Sequence, residues 1–192
     1  MTTMAMDRSE GTWSITTRVI VYAAIGAALY AFFNWVSFGI AVPWSNDVSV
    51  RPHYGLLTFF GFAFGPVVGF LTGFVGNVVG DQLTGWGAFT SWQWSVANGL
   101  AGLVAGLFPF WMASRMSSTS SKAVTAAVAG VVATVIGFLF IFVELVTQQE
   151  LGFNAILTTE YIPTVIVNSI AAAIVTPILV LAWEPLKEQI GR

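Results

Sequence analysis

The chain has 192 residues, 56% hydrophobic and 8% charged, with a formal net charge of -2 and a mean hydropathy of +0.81, far from the roughly 25% charged residues of soluble domains. No cysteine is present and there is one histidine, His53, which argues against disulfides, thiolate chemistry and any Cys- or His-based metal site. The weakly acidic balance argues against a nucleic-acid partner, because binding phosphates takes clustered Lys and Arg.

The first 16 residues (MTTMAMDRSEGTWSIT) are polar. The apolar run after them is too long for a signal-peptide core and no small-residue cleavage site is evident, so the first helix is expected to be retained. Apolar segments at about 17–40, 66–84, 92–113, 122–146 and 161–183 are each long enough to cross the ~30 Å hydrocarbon core. Between the first two lies YGLLTFFGFAF, residues 54–64, which rises only about 16 Å as a helix. Gly65-Pro66 follows it and should break a continuous helix, since proline removes a hydrogen bond and crowds the preceding turn. The segment at about 50–64 is therefore either a short separate span or the bent head of the next one.

Cytoplasmic loops collect Lys and Arg. Six helices with both termini inside put Arg8, Arg18, Arg115, Lys122, Lys187 and Arg192 in the cytoplasm and Arg51 outside. Five helices distribute these charges less well and leave the Gly-Pro break unexplained. We read an all-α membrane protein: one domain over residues 1–192, a compact bundle of six transmembrane helices, N-in and C-in. Three loops then face outward, at about 41–53, 83–92 and 147–160. At or near that face lie Trp44, Asp47, Arg51, His53, Asp81, Trp86, Trp92, Trp94, Glu144, Gln148, Glu150, Glu160 and Tyr161, as an aromatic belt with solvated loops or as a binding surface.

RPHYGLLTFFGFAFGPVVGFLTGFVGNVVGD, residues 51–81, resembles the Arg-Pro, phenylalanine-rich, Gly-Pro, glycine-spaced segment of S components of energy-coupling factor (ECF) vitamin transporters. GWGAFTSWQWSVANGLAGLVAGLF, residues 85–108, continues the likeness, to the riboflavin-type group. The resemblance implies a six-helix protein in a prokaryotic cell membrane that captures a vitamin from outside. It also implies a shared module of one membrane T component and two cytoplasmic ATPases. The chain carries no G-x-x-x-x-G-K-[ST] of its own, as expected of a non-enzymatic subunit. In that family the first helix packs on the T component through an Ala-x-x-x-Ala pattern, which Ala23/Ala27 and Ala24/Ala28 match here. Small residues four apart permit the close backbone approach on which helices in lipid rely, and intramolecular packing uses the same device. Gly61, Gly65, Gly69, Gly73, Gly76 and Gly80, spaced mostly by four, are expected to line one face of a tightly packed helix.

A polar ligand needs a concave pocket with aromatic walls and a few orienting polar groups. Trp94 and Asn98 are four apart and share a helical face, with Trp92 at the outer end. An indole stacks on a flat heterocycle while an amide reads its edge, although Asn98 could equally tie two helices together. Glu144 is an intramembrane or headgroup-level carboxylate, which by default marks function, and Gln148 is one turn further out. Tyr161 and Asn168, seven apart, are expected on one side of the last helix. The binding set is thus Trp92, Trp94, Asn98, Glu144, Gln148, Tyr161 and Asn168. Trp44, Asp47, Arg51, Asp81 and Trp86 form an outer mouth in which Asp81 could pair with Arg51. His53 is read as interfacial, and Thr58 and Thr72 as back-bonding within their helices.

Riboflavin is the first expectation for the ligand. Thiamine, its pyrimidine precursor or a purine-like base is the alternative, because a cation gains from outer carboxylates and aromatic faces. No cofactor is expected. An intramembrane enzyme would need an embedded acid-base or metal constellation such as HExxH, which is missing. A channel would need polarity along a whole crossing, whereas AGLVAGLFPF, AVTAAVAGVVATVIGF and AAAIVTPILVLA are almost wholly apolar.

Overall fold

The computed structural model describes residues 12–36, 40–148 and 151–190; the first 11 residues, residues 37–39 at the end of the first expected span, and Glu150 lie outside them. Helix α1 (Thr17–Val36) is followed by a two-stranded antiparallel hairpin, β1 (Ile40–Ala41) and β2 (Ser49–Val50), with Ile40 opposite Val50 and Ala41 opposite Ser49. Then come α2 (Tyr54–Phe64), α3 (Pro66–Thr84), α4 (Trp92–Trp111) and α5 (Thr119–Gly137). Past α5 the chain tightens into a 3-10 segment, Phe138–Val143, and a short turn of helix, Glu144–Thr147. A π-helical stretch, Ile156–Tyr161, leads into the last helix, α6 (Ile162–Ile190).

Among the described residues, four helical stretches are long and apolar enough to cross a membrane: Thr17–Val36, Trp92–Trp111, Thr119–Thr147 and Phe153–Gln189. The expected boundaries shift where the hairpin intrudes: Ile40 and Val50 are paired strand residues rather than helix. Within the hairpin, the amide N–H of Val42 donates to the carbonyl of Val48 at 2.8 Å, and Asp47 takes the turn with φ 56°. A short Asp side chain tolerates that left-handed conformation.

The Gly-Pro break forms as the sequence requires. The N–H of Gly65 donates to the carbonyl of Gly61 at 2.8 Å and closes α2, φ swings to 103°, and Pro66 opens α3 where its missing N–H costs no bond. Eight of the eleven residues of α2 are buried, Tyr54, Leu57 and Thr58 completely, and the other three half-buried, so this short helix is the axle of the bundle. Toward one end Tyr30, Tyr54, Leu57, Phe138, Ile141 and Ile156 form a continuous core, and toward the other Phe59, Phe60, Phe62, Val68, Phe108 and Val180 form a second.

The glycines of α3 divide between two partners rather than lining one face. Gly69 abuts the backbone of Gly102, and Gly73 that of Asn98, both on α4; Gly76 abuts Tyr30 and Ala27, and Gly80 abuts Asn34, all on α1. Gly61 of α2 also lies on Gly102, whereas Gly65 has open space beside it. Thr58 Oγ1 donates to its own helix, at the carbonyl of Gly55 (3.2 Å), and also meets Thr176 Oγ1 at 2.6 Å, which ties α2 to α6. Thr72 does not back-bond as expected: its hydroxyl is buried without a hydrogen-bond partner among the described residues.

The outer surface of α6 is a ridge of isoleucines at four-residue steps, Ile162, Ile166, Ile170, Ile174 and Ile178, all substantially exposed. In water such a ridge would be a liability; facing acyl chains it costs nothing. At the opposite end from the hairpin, Ser118 and Ser121 cap α5 reciprocally, and Lys122 forms an ion pair with Glu184 of α6.

Candidate functional site

A cavity of about 200 Å³ opens beside the hairpin. Its walls come from α1, α3, α4 and α6, the hairpin, and the segment between Phe138 and Gln148. One wall is a chain of side-chain hydrogen bonds through three helices. Tyr30 Oη donates to Asn98 Oδ1 (3.2 Å), Asn98 Nδ2 to Asn77 Oδ1 (3.2 Å), and Asn77 Nδ2 to Asp81 Oδ2 (2.8 Å). Asn98 Nδ2 also donates to the carbonyl of Trp94 at 2.9 Å. Asn77 and Asp81 are one turn apart on α3, and the small glycines beside them bring α1 and α4 close enough to join.

The second wall is acidic. Glu144, 4% exposed, sits where the 3-10 segment ends and accepts two hydrogen bonds on Oε1, from Gln93 Nε2 at 2.7 Å and from Trp94 Nε1 at 2.9 Å. Glu160, 3% exposed, lies in the π-helical stretch and accepts from Asn46 Nδ2 at 2.7 Å. Asn46 also donates its backbone N–H to the carbonyl of Thr159 at 2.8 Å, so the hairpin is stitched to the entrance of α6. Thr164 and Asn168 follow Glu160 at four-residue steps and line the cavity with it.

Of the seven expected binding residues, five line this cavity: Trp94, Asn98, Glu144, Gln148 and Asn168. Trp92 and Tyr161 do not. Trp92 points outward and packs edge-on against Phe140, with ring centroids 5.9 Å apart; Tyr161 packs on Phe142 and donates its hydroxyl to the carbonyl of Val135 at 2.8 Å. Trp92 and Trp94, two residues apart, are separated by about 200° around a helix and cannot share a face.

Of the five mouth residues, Asp47, Arg51, Asp81 and Trp86 line the cavity, whereas Trp44 is 67% exposed beside a separate apolar crease with Pro43 and Ile166. Arg51 and Asp81 face the same space without forming an ion pair among the described residues; the hydrogen bond that holds Asp81 comes from Asn77. Sequence reasoning passed over Tyr30, Asn46, Asn77, Gln93 and Thr164, and assigned Glu160 no binding role. For Asn77 and Gln93 the signal was there: polar side chains within apolar helical stretches.

On α1, Ala23 and Ala27 are turned into the bundle and Ala24 and Ala28 outward. Ala23 and Ala27 therefore serve packing within the chain, with Ala27 against Gly76, and the stripe open to another protein is the one through Ala24 and Ala28.

The family model of the ECF-type riboflavin transporter S component matches residues 14–185. This chain belongs to that family. The S-component chain is also similar to a UPF0397 protein of Vibrio atlanticus (strain LGP32), 38% identical over 103 residues, 54% of each chain. Another UPF0397 protein, from Aliivibrio fischeri (strain MJ11), is 36% identical over 105 residues, 55% of each. One from Streptococcus gordonii (strain Challis) is 39% identical over 94 residues, 49% of this chain and 48% of its own. The chain thus spans about half the length of the curated relatives it matches. No solved structure matches it. Membership in a membrane-protein family agrees with the four crossing-length helices and with the isoleucine ridge of α6.

His53, in the connection just ahead of α2, is buried and lies edge-on to Tyr30 at 5.1 Å. Burial, with the charge of Arg51 added, pushes its pKa down to about 4. The neutral ring is thus the folded form, and protonation favours unfolding. Because the unfolded chain takes up this proton near pH 6.5, stability is expected to fall as pH drops from about 6.5 toward 4. Melting temperatures in detergent across that window check this, and His53→Phe should flatten the slope.

Proposed function

We propose that this chain is the substrate-binding subunit of an ECF-type importer. In this reading it crosses the membrane six times with both termini in the cytoplasm and captures a vitamin or related heterocycle from outside. The observation that carries the proposal is that the buried amides and carboxyls among the described residues, Asn34, Asn77, Asp81, Gln93, Asn98, Glu144, Glu160 and Asn168, all gather at one end, at or beside a cavity bordered by the hairpin. Beyond that cavity the bundle is closed by the core around Tyr54, Leu57 and Phe138. A dead-end pocket suits capture and hand-over, not conduction.

The hairpin around Asn46 and the loop carrying Trp86 cover the ligand, while Trp94 supplies an aromatic wall and Asn98, Glu144 and Asn168 fix orientation. A T component docks on α1, and two ATPases drive release inward. Riboflavin, the compound in the family's description, is the first ligand to test; thiamine or its pyrimidine precursor is the second, favoured by the carboxylates of the cavity.

ATP-dependent uptake in cells expressing the chain with a T component and its ATPases tests the reading. Accumulation of a heterocycle that vanishes when the S component is omitted supports it, and the same uptake without the S component removes it. For docking, Ala24→Leu with Ala28→Leu is expected to cut co-purification of the T component at least about tenfold. Ligand binding should remain, since both alanines face away from the cavity. Equal co-purification would move the contact to another face.

A further inference from the structure

Two carboxyls meet at the mouth of the cavity. Glu160 Oε1 accepts from Asn46 Nδ2 at 2.7 Å, and Oε2 receives no N–H or hydroxyl donor from its surroundings among the described residues. The group stands instead in hydrogen-bond contact with the carboxyl of Glu144. Both residues are almost sealed, at 3% and 4% exposed. An ionised carboxylate only accepts, so two of them cannot hydrogen-bond to each other; the contact requires a proton between them.

The surroundings say which side carries it. Glu144 Oε1 already accepts from Gln93 Nε2 and Trp94 Nε1, which supports a charged carboxylate, whereas Glu160 accepts from Asn46 alone. The other titratable groups facing the cavity are Tyr30 on α1, Asp47 in the hairpin turn, Arg51 just ahead of α2 and Asp81 on α3; α4 and α6 face it with uncharged side chains. Arg51, the one cation of the lining, acts on Tyr30 and Asp81, and the ion pair among the described residues lies at the far end, between Lys122 and Glu184. Nothing described there but a proton relieves the carboxyl pair.

We infer that Glu144 and Glu160 share a single proton, carried by Glu160, and that this proton latches the hairpin over the cavity. The hairpin is held on Glu160 by the Asn46 side chain and on Thr159 by the Asn46 backbone N–H, at 2.8 Å. With the proton gone, two carboxylates face each other, Glu160 has to swing away from Glu144, and the Asn46 contact goes with it. The sign follows from linkage. A Glu160 released to water ionises near pH 4.3, about the value of any exposed glutamate, so above that pH the latched form binds more protons than the open one, and closure weakens as pH rises. This goes beyond substrate capture, since it is a property of the empty chain.

Two measurements on the ligand-free, detergent-purified full chain test it. Infrared spectra at neutral pH are expected to show the C=O stretch of a protonated carboxyl that is lost in Glu160→Gln. Hydrogen exchange of residues 40–50, corrected for intrinsic rates, should show protection falling about tenfold or more between about pH 6 and about pH 9. In Glu160→Gln the amide can donate to Glu144 and accept from Asn46, so protection should hold at both pH values, whereas Asn46→Ala should expose the hairpin at each. Should Glu160→Gln fold poorly, Glu144→Gln gives the same loss of pH dependence, since two carboxylates no longer meet. Absence of the band from wild type, or a variant hairpin that opens with pH as wild type does, overturns the inference. Neither result touches the capture reading, which stands or falls on uptake.

Discussion

Glu144→Ala is expected to weaken ligand capture by about 100-fold or more. The substitution removes a carboxylate that accepts hydrogen bonds from Gln93 and Trp94, and hydrogen bonds to charged groups contribute about 1.5–3 kcal/mol each. At about 1.4 kcal/mol per tenfold, the release of both donors and the drift of the Trp94 ring reach two orders of magnitude. Binding titrations with riboflavin, thiamine, hydroxymethylpyrimidine and deazapurines against wild type measure it. Glu144→Gln, which keeps one acceptor and removes the charge, should fall between. Full affinity in both variants would reduce Glu144 to a scaffold for α4.

Gly102→Leu has the largest expected effect on folding. A Cβ at Gly102 would collide with the backbone of Gly69, and one at Gly69 with the backbone of Gly102. Overpacking a core costs about 1–3 kcal/mol when side chains can yield, and here two helix backbones would have to part, so the cost lies at or above that range. Since α4 carries Gln93, Trp94 and Asn98, parting it from α3 also dismantles the cavity. Gly102→Leu and Gly69→Leu should each lose the monodisperse peak in size-exclusion chromatography. Gly152→Ala is the control: among the described residues nothing stands within 4 Å and its φ is -78°, so it should be neutral or stabilise by about 0.4–1 kcal/mol through the unfolded chain. A well-folded Gly102→Leu protein would mean that α3 and α4 do not pack as described.

What could be read from the sequence followed from strong local rules. Gly65-Pro66 split α2 from α3 because a glycine free to take φ 103° stands directly before a proline that cannot donate to the helix ladder, whereas Pro109, Pro177 and Pro185 are carried inside helices, and Glu144 and Asn98 stood out because polarity within an apolar stretch requires a reason. What could not be read was rotational phase. Ala23/Ala27 and Ala24/Ala28 differ by one residue, about 100° of helix, and nothing local says which pair faces inward.

Phase also explains Tyr161. On an unbroken α-helix it would align with Asn168, seven residues on, whereas Glu160 would lie well to the side. The π-helical turn ends at Tyr161 and the helix beyond it is ordinary, but the cavity takes the edge of the face on which Glu160, Thr164 and Asn168 follow at four-residue steps, while Tyr161 turns to Phe142 and the carbonyl of Val135. The hairpin escaped notice because two-residue strands leave no alternation to read.

That π turn gives the pocket an unusual kind of adjustability. A π turn holds one residue more than the α-helical turn it replaces, so the loss of a single residue there restores ordinary α-helix and shifts by one position which side chains of the turn face the cavity, while the segments on either side keep their phase. The carboxyl of Glu160 and the carbonyl that anchors Asn46 would leave together, while the core below kept its register. A lineage could therefore exchange one ligand for another by a one-residue insertion or deletion at the entrance of α6, with no substitution in the walls at all.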